Sequence, residues 1–267
     1  MKKKILIIGK KSFIGSNLYR NLLKKKFLVE CQSFEKILKK NEKTFKKFSY
    51  IINTTIHPKY IYKKYDKKFD LDRKILSKLV EGNFIYIFFN TRKIYQPKYN
   101  ISEKSLIKPQ DQYAKNKAIT EKFLMKNYSK NFLSLRISNI IGKRIYPKNR
   151  NNHKLFFDNF LKLRNLKKKK FIIKDNYKDF ISIDQFSEVI AKICQKKLIG
   201  IFNVSISKKI YVSEIIQWLD KDFFDKIQFI KTKNHSFTLS NKKLLRQIPV
   251  KLSKKDLKFF CVNLLKK

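Results

Sequence analysis

Short, continuous apolar runs alternate with amphipathic stretches along the first half of the chain. The runs are KILIIG (4–9), FLVECQS (27–33), YIINTT (50–55), FIYIFF (84–89) and FLSLRI (132–137). Apolar runs of this length are typical of strands that are buried on both faces of a parallel sheet. Because amphipathic stretches separate them, the pattern predicts βαβ units and an α/β fold.

Three helices are predicted between these strands. The first follows residue 12, the second covers 65–80, and the third runs from Tyr113 to about Asn127. In the first two, apolar residues recur every four positions, as on one face of a helix. These residues are Ile14, Leu18 and Leu22, then Leu71, Ile75 and Leu79.

The pattern changes after Gly142. Residues 143–154 are polar and irregular, 155–170 predict a basic helix, and 171–183 and 200–205 predict further strands. The tail from about residue 206 reads as helical. We expect the later segments to form a small lobe over the carboxyl edge of the sheet, where open α/β sheets bind ligands.

Composition excludes several classes of protein. With 267 residues, 43% of them hydrophobic, the chain is too apolar to be disordered. No apolar run is long enough to span a membrane, and the one at the N-terminus is too short for a signal peptide, so we expect a cytoplasmic protein. Three widely separated cysteines and three scattered histidines predict neither a disulfide framework nor a metal site.

The net charge of +45 is spread along the whole chain. Only three alanines occur, whereas Ile, Asn, Phe, Tyr and Lys are abundant, a combination that AT-rich codons explain. A high positive charge can indicate nucleic-acid binding, because Lys and Arg neutralise the phosphates of the backbone. Since codon usage explains the charge here, we expect no specific nucleic-acid partner. A basic surface would nevertheless attract an anionic substrate and raise its encounter rate.

Two local patterns suggest chemistry. LIIGKKSFIGSNL (6–18) reads as strand, glycine turn and helix, an arrangement that binds phosphate at the helix N-terminus, although Ser12 stands where a middle glycine is expected. Tyr113 and Lys117 are four residues apart and share one face of the third helix. An ammonium beside the phenol would lower its pKa and allow proton exchange near neutral pH.

Seven segments in order resemble the extended short-chain dehydrogenase/reductase family, the NAD(P)-dependent epimerases, dehydratases and reductases of nucleotide sugars. The resemblance implies a Rossmann-type doubly wound parallel sheet with a small C-terminal substrate lobe. The NAD(P)-binding domain would comprise 1–142 and about 179–205, and the lobe about 143–178 and 206–267. The segments are GKKSFIG (9–15), YIINTT (50–55), FFNTRKIY (88–95), YAKNK (113–117), LRISNIIG (135–142), KDFISIDQ (178–185) and GIFNVS (200–205).

The resemblance also assigns roles to residues. Tyr113 would be the acid/base, Lys117 would lower its pKa and bind the nicotinamide ribose, and Thr91 would hydrogen-bond the reacting sugar oxygen. Asn139 and Lys178 would contact the substrate, and no metal is implied. The cofactor would be bound by Tyr113 and Lys117 together with Gly9, Ser12, Phe13, Ile14, Gly15, Ser33, Asn53 and Thr54.

Departures from the family pattern refine these expectations. Lys178 replaces an arginine, which keeps the charge and loses bidentate phosphate binding. The second strand ends at Ser33 rather than at an acid that would bond the ribose hydroxyls and repel a 2′-phosphate. With Lys36 close by, this favours NADP, and NAD is the alternative. Two cations, Arg92 and Lys93, follow Thr91 where a dehydratase would have acids.

We therefore expect 4-keto reduction of a nucleotide diphosphate sugar in deoxysugar or surface polysaccharide biosynthesis. IINTT (51–55) resembles the third strand of the branch that includes dTDP-4-dehydrorhamnose reductase. An epimerase or dehydratase of the same family is the alternative, and the chain is short for an epimerase. A non-catalytic cofactor- or RNA-binding protein is an alternative of another class. Family members often dimerise through the helices that correspond here to 65–80 and 113–127.

Overall fold

A computed structural model describes residues 3–79, 83–147, 155–166 and 170–266. The strands are β1 (Lys4–Ile8), β2 (Leu28–Gln32), β3 (Tyr50–Asn53), β4 (Ile85–Thr91), β5 (Phe132–Ile137), β6 (Asn139–Ile141), β7 (Phe171–Asp175), β8 (Tyr177–Lys178), β9 (Phe180–Ser182), β10 (Gly200–Val204), β11 (Ile210–Tyr211) and β12 (Ile227–Lys231). The helices are α1 (Phe13–Lys24), α2 (Phe34–Leu38), α3 (Pro58–Tyr62), α4 (Leu71–Leu76), α5 (Gln112–Tyr128), α6 (Phe156–Arg164), α7 (Ile183–Lys196), α8 (Val212–Leu219), α9 (Lys221–Phe224), α10 (Lys242–Leu245) and α11 (Lys254–Leu264).

Six parallel strands form the central sheet in the order β2-β1-β3-β4-β5-β10. The predicted α/β fold with a Rossmann-type sheet is confirmed. From β1 the chain moves outward to β2 on one side and later returns to β3 on the other. The carboxyl ends of β1 and β3 therefore flank the crevice where such sheets bind ligands.

Helices cover both faces of the sheet, as the continuous apolar runs require. Ile5 and Ile7 of β1 belong to a core that includes residues of α1 and α7. Leu6 and Ile8 point to the other face and pack in a core with residues of α4 and α5. Burial of both side-chain sets explains why KILII has no polar alternation.

Three two-stranded ladders lie outside the central sheet. They pair β6 with β9, β7 with β12, and β8 with β11. Phe160, Phe171 and Leu257 from this part of the chain belong to the same core as Ile5 of the central sheet. The domain boundaries expected from the sequence stay a prediction.

The single helix expected over 65–80 is wrong. A short 3-10 turn at Lys67–Phe69 is followed by α4, which ends at Leu76. Asp70 separates them, because its carboxylate accepts a hydrogen bond from Arg73 N at 3.1 Å and so starts a new helix. Residue 80 lies outside the described residues.

The strands predicted within 171–183 and 200–205 are present, as β7, β8, β9 and β10. The all-helical tail expected after residue 206 is wrong, because the tail contains the strands β11 and β12 among its helices. The helix expected over 155–170 is shorter, since α6 ends at Arg164. Residues 148–154 and 167–169 lie outside the described part of the chain. Within that part, no helix is both long and apolar enough to cross a bilayer.

Candidate active site

The loop after β1 is closed tightly around two glycines. Gly9 has φ +120°, and a Cβ there would lie 2.3 Å from Thr54 Oγ1. A Cβ on Gly15 would lie 2.4 Å from the carbonyl oxygen of Gly9. Both contacts are too short for any side chain, so the loop requires glycine at both positions.

Ser12 occupies the middle position and holds the loop together. It is the N-cap of α1, and its Oγ accepts a hydrogen bond from Gly15 N at 2.9 Å. Thr54 Oγ1 donates to Ile8 O at 2.8 Å, so at the 2.6 Å contact between the two hydroxyls Ser12 is the donor. The sequence suggested that this hydroxyl could donate to an anion. In the structure its proton is directed to Thr54 instead.

Backbone N–H groups at the start of α1 suit a pyrophosphate. The first residues of a helix have no intrahelical acceptor, and none of the described residues accepts from Phe13 N or Ile14 N. Both residues line the main cavity at the carboxyl edge of the sheet. A helix N-terminus with available N–H groups binds phosphate well, so the loop fits a dinucleotide.

The three residues assigned to catalysis border this one cavity. It has a volume of about 230 Å³, and its wall includes Thr91, Tyr113 and Lys117. Five more of the expected binding residues line it: Phe13, Ile14, Asn53 and Thr54, which were expected to bind the cofactor, and Asn139, which was expected to bind the substrate. Five do not line it: Gly9, Ser12, Gly15, Ser33 and Lys178.

Strand and helix ends explain why these side chains meet. Thr91 ends β4, and Tyr113 lies in the first turn of α5, which Asp111 caps by accepting from Ala114 N at 2.8 Å. Lys117 follows one turn later. The carboxyl end of β4 and the N-terminus of α5 therefore converge on the same side of the sheet.

A buried ion pair fixes α5 to the sheet. Arg136 of β5 donates to Glu121 of α5 at 2.6 Å, and both side chains are 2% exposed. Asn90, which precedes Thr91, donates to the same carboxylate at 2.8 Å. Because a buried pair of this kind is costly to break, it holds β4, β5 and α5 in register beside the cavity.

Lys117 has a buried acidic partner that the sequence analysis did not identify. Its Nζ lies 3.6 Å from Asp72 Oδ2 and 4.3 Å from the centre of the Phe88 ring. Asp72 also accepts hydrogen bonds from Asn53 at 2.9 Å and Tyr86 at 2.7 Å. Burial raises the pKa of the Asp72 carboxyl, against the opposing charge of Lys117. A signal for it existed, since Asp72 falls at helical spacing from Ile75 and Leu76 on the buried face.

The expected lowering of the Tyr113 pKa is wrong for this structure. Burial raises the pKa of Tyr113 above its ordinary value, and the charges of Asp72 and Asp111 raise it further. Lys117 lies 3.6 Å from Asp72 and does not reverse this rise. The phenol is therefore protonated at neutral pH.

The last residue of β2 is not a carboxylate. β2 ends at Gln32, and Ser33 caps α2 by accepting from Lys36 N at 3.4 Å. Glu30 is held by Lys4 at 2.8 Å and Lys47 at 2.9 Å, and these contacts bring its pKa to about 2 against the effect of burial.

Cations lie near β2 and near two of the cavity-lining residues. Near β2, the charge of Lys10 acts on the Cys31 thiol, whose pKa burial raises to about 11. Burial lowers the pKa of Lys178, and the charges of Arg92 and Lys93 lower it further. Lys178 is thus close to two residues that line the cavity. Among the described residues no group of three or more potential metal ligands occurs.

The sequence matches the model of the NAD dependent epimerase/dehydratase family over residues 5–205. The chain belongs to this family. Its members are enzymes that use a nicotinamide dinucleotide, and the extended short-chain dehydrogenase/reductase resemblance is confirmed. Comparison with curated protein sequences gave no significant match.

Solved structures of low sequence identity share the fold along nearly the whole chain. A UDP-N-acetylglucosamine 4-epimerase from Methanobrevibacter ruminantium, in complex with UDP-N-acetylmuramic acid, is 17% identical with a TM-score of 0.77, covering 100% of this chain and 98% of that one. A dTDP-4-dehydrorhamnose reductase from Clostridium acetobutylicum is 16% identical with a TM-score of 0.74, covering 99% and 100%. A UDP-glucose 4-epimerase from Stenotrophomonas maltophila, with bound NAD and formylated UDP-arabinopyranose, is 13% identical with a TM-score of 0.78, covering 99% and 97%.

These alignments correct one argument from the sequence. The chain covers an epimerase and a reductase almost completely, so its length does not distinguish the two reactions. The choice between them depends on the residues in the cavity.

Proposed function

We propose that the chain is an NAD(P)-dependent oxidoreductase that reduces the 4-keto group of a nucleotide-activated sugar. The observation that carries this proposal is the single cavity bordered by Thr91, Tyr113 and Lys117 beside the glycine loop. Such a constellation suits proton transfer to a sugar oxygen next to a nicotinamide ring.

The cofactor and each of the three residues would have a separate role in the reaction. The bound cofactor supplies the hydride that adds to the carbonyl carbon. Tyr113 donates the proton that turns the carbonyl oxygen into a hydroxyl, and Thr91 donates a hydrogen bond to that oxygen. Lys117, oriented by Asp72, binds the nicotinamide ribose and balances the charge that develops on Tyr113.

The residues next to Thr91 favour reduction over dehydration. Arg92 and Lys93 take the places where a dehydratase would have acids. The protonated form of Tyr113 is the one that donates a proton to the sugar oxygen, and its raised pKa agrees with this role.

Tyr113→Phe tests this function. We expect the loss of NADPH absorbance with UDP- and dTDP-4-keto-6-deoxyglucose to slow by about 100-fold or more, with NADPH affinity nearly unchanged, because only the proton donor is removed. Tyr62→Phe, at an exposed tyrosine, is the matched control. Wild-type turnover in Tyr113→Phe would contradict the proposal. Exchange of C4 epimers without net NADPH loss would favour the epimerase.

We further propose a preference for NADP. β2 ends at Gln32 and Ser33 follows it, Glu30 is paired with Lys4 and Lys47, and Lys10 adds a cation beside β2. We expect NADPH to bind more tightly than NADH in fluorescence titrations, and Lys10→Gln to weaken NADPH more than NADH. Lys24→Gln, on the surface of α1, is the control. Equal affinity of the wild type for both cofactors would contradict this preference.

A further inference from the structure

Two buried polar atoms of the cavity-lining residues have no hydrogen-bond partner among the described residues. They are Nε of Arg92 and Oγ of Ser138. Arg92 follows Thr91, Ser138 follows Ile137, and Thr91 pairs with Ile137 in the register of β4 and β5. The two atoms thus come from neighbouring strand ends beside the proposed reacting hydroxyl. Leaving a polar atom buried without a partner is costly, so both atoms are suited to a polar ligand group.

Neighbouring side chains hold the Arg92 guanidinium. Its centre lies 3.9 Å from the centre of the Phe237 ring, which fixes the plane of the group. Gln110 Oε1 lies 3.5 Å from one terminal nitrogen, and Gln110 itself donates to Tyr95 O at 2.6 Å. A guanidinium that is already oriented loses little conformational entropy when it binds a planar anion.

Positive charge exceeds negative charge at this end of the cavity. Arg92, Lys93 and Lys178 form a cationic cluster, in which burial and the two neighbouring charges lower the pKa of Lys178. Burial also lowers the pKa of Arg92 to about 10, and Asp111 partly opposes this. Asp111 is already paired with Lys93 at 2.8 Å and caps α5. One carboxylate against three cations leaves an excess charge that an anionic ligand would balance.

We propose that the sugar of the nucleotide substrate carries a carboxylate, and that Arg92 and Ser138 bind it. The inference rests on the proposed function, because it places the sugar beside Thr91. Arg recognises a carboxylate through parallel N–H bonds, and Ser138 adds a hydroxyl donor. A neutral sugar would leave Arg92 Nε buried without an acceptor, so it would still react but would bind more weakly. Arg92 and Ser138 are thus specificity-determining residues.

Calorimetric titration of the NADPH-bound protein tests this assignment. The ligands are UDP-glucuronic acid, UDP-glucose and UDP, with the dTDP counterparts in parallel. We expect the acidic sugar nucleotide to bind at least about tenfold more tightly than the neutral one, the effect of a hydrogen bond between charged groups. Arg92→Gln should remove this preference and leave UDP affinity unchanged, and Ser138→Ala should weaken the acidic ligand alone. Arg20→Gln, at an exposed arginine of α1, should keep the preference.

Two results would overturn the inference. Equal affinity of the wild type for UDP-glucuronic acid and UDP-glucose would show that the site does not recognise a sugar carboxylate. If Arg92→Gln weakens UDP, UDP-glucose and UDP-glucuronic acid by the same factor, the guanidinium binds the diphosphate instead. If no UDP or dTDP ligand binds at all while NADPH does, the proposed function itself fails, which is a distinguishable outcome.

Discussion

At the level of single residues, Asp72 adds to the effect of burial on the protonation of Tyr113. Burial is the main cause of the raised Tyr113 pKa, and the charge of Asp72 raises it further. Asp72 therefore helps to keep the phenol protonated, and it also orients Lys117. A lysine alone beside Tyr113 would have the opposite effect.

Asp72→Asn tests this role. Its amide oxygen can still accept from Asn53 and Tyr86, but the negative charge is gone, so the pKa of Tyr113 should fall. Because reduction needs the protonated phenol, the alkaline limb of the kcat/KM profile should move to lower pH. Asp222→Asn, at an exposed carboxylate, is the control. An unchanged alkaline limb in Asp72→Asn would contradict this account of the charge.

At the level of elements, the connection from β1 to α1 depends on the Ser12 hydroxyl. It caps α1 through Gly15 N and bonds Thr54 at the end of β3. The contact between Ser12 and Thr54 joins the loop after β1 to the end of β3, and these two strands flank the ligand crevice. Ser12, which stands in place of the middle glycine, therefore stabilises the loop.

Ser12→Ala should lower the free energy of unfolding by about 1 kcal/mol or slightly more, the usual cost of losing an N-cap. Urea titration measures the change. Ser77→Ala removes an exposed hydroxyl that donates to Lys74 O at 3.0 Å within its own helix, and it should have little effect. A Ser12→Ala protein as stable as the wild type would show that the hydroxyl does not hold the loop.

Sequence periodicity located the strands of the central sheet because most of them are buried apolar runs, as KILII at Lys4–Ile8 illustrates. It failed over 65–80, since Leu71, Ile75 and Leu79 keep the helical spacing while Asp70 caps a new helix. It also failed at β12, whose residues alternate in burial and pair with the distant β7. Local patterns do not encode such long-range pairing.

The candidate site was also predictable only where local sequence patterns mark it. Thr91, Tyr113 and Lys117 follow from motifs whose order along the chain is informative. Asp72 was missed because its role depends on a partner 45 positions away along the chain, as the two residue numbers show. The unpaired atoms of Arg92 and Ser138 are likewise a property of packing.

At the level of the whole molecule, Asp179 links the central sheet to the C-terminal segment. Its carboxylate accepts from Ile206 N, after β10, at 3.2 Å and from Leu239 N at 3.1 Å. Burial raises the pKa of Asp179 to about 7 in spite of these bonds. The buried carboxylate therefore connects residues that lie far apart along the chain.

This raised pKa predicts a pH dependence of folding. Between about pH 4 and 7 the folded protein keeps the Asp179 proton that the unfolded chain releases, so the wild type loses stability relative to Asp179→Asn as pH rises. The linked change amounts to about 4 kcal/mol at most. Urea titrations of both proteins across this range measure the difference, and Asp222→Asn should show none. A difference that stays flat or grows with pH would contradict the raised pKa.

The central claim is that one cavity at the carboxyl ends of β1 and β3 receives the cofactor beside Thr91, Tyr113 and Lys117. A crystal structure of the NADP complex tests it most directly. We expect the pyrophosphate on the N–H groups of Phe13 and Ile14, and the nicotinamide ring within contact of Tyr113 and Thr91. A dinucleotide bound away from the glycine loop, or a nicotinamide ring outside the cavity, would contradict it.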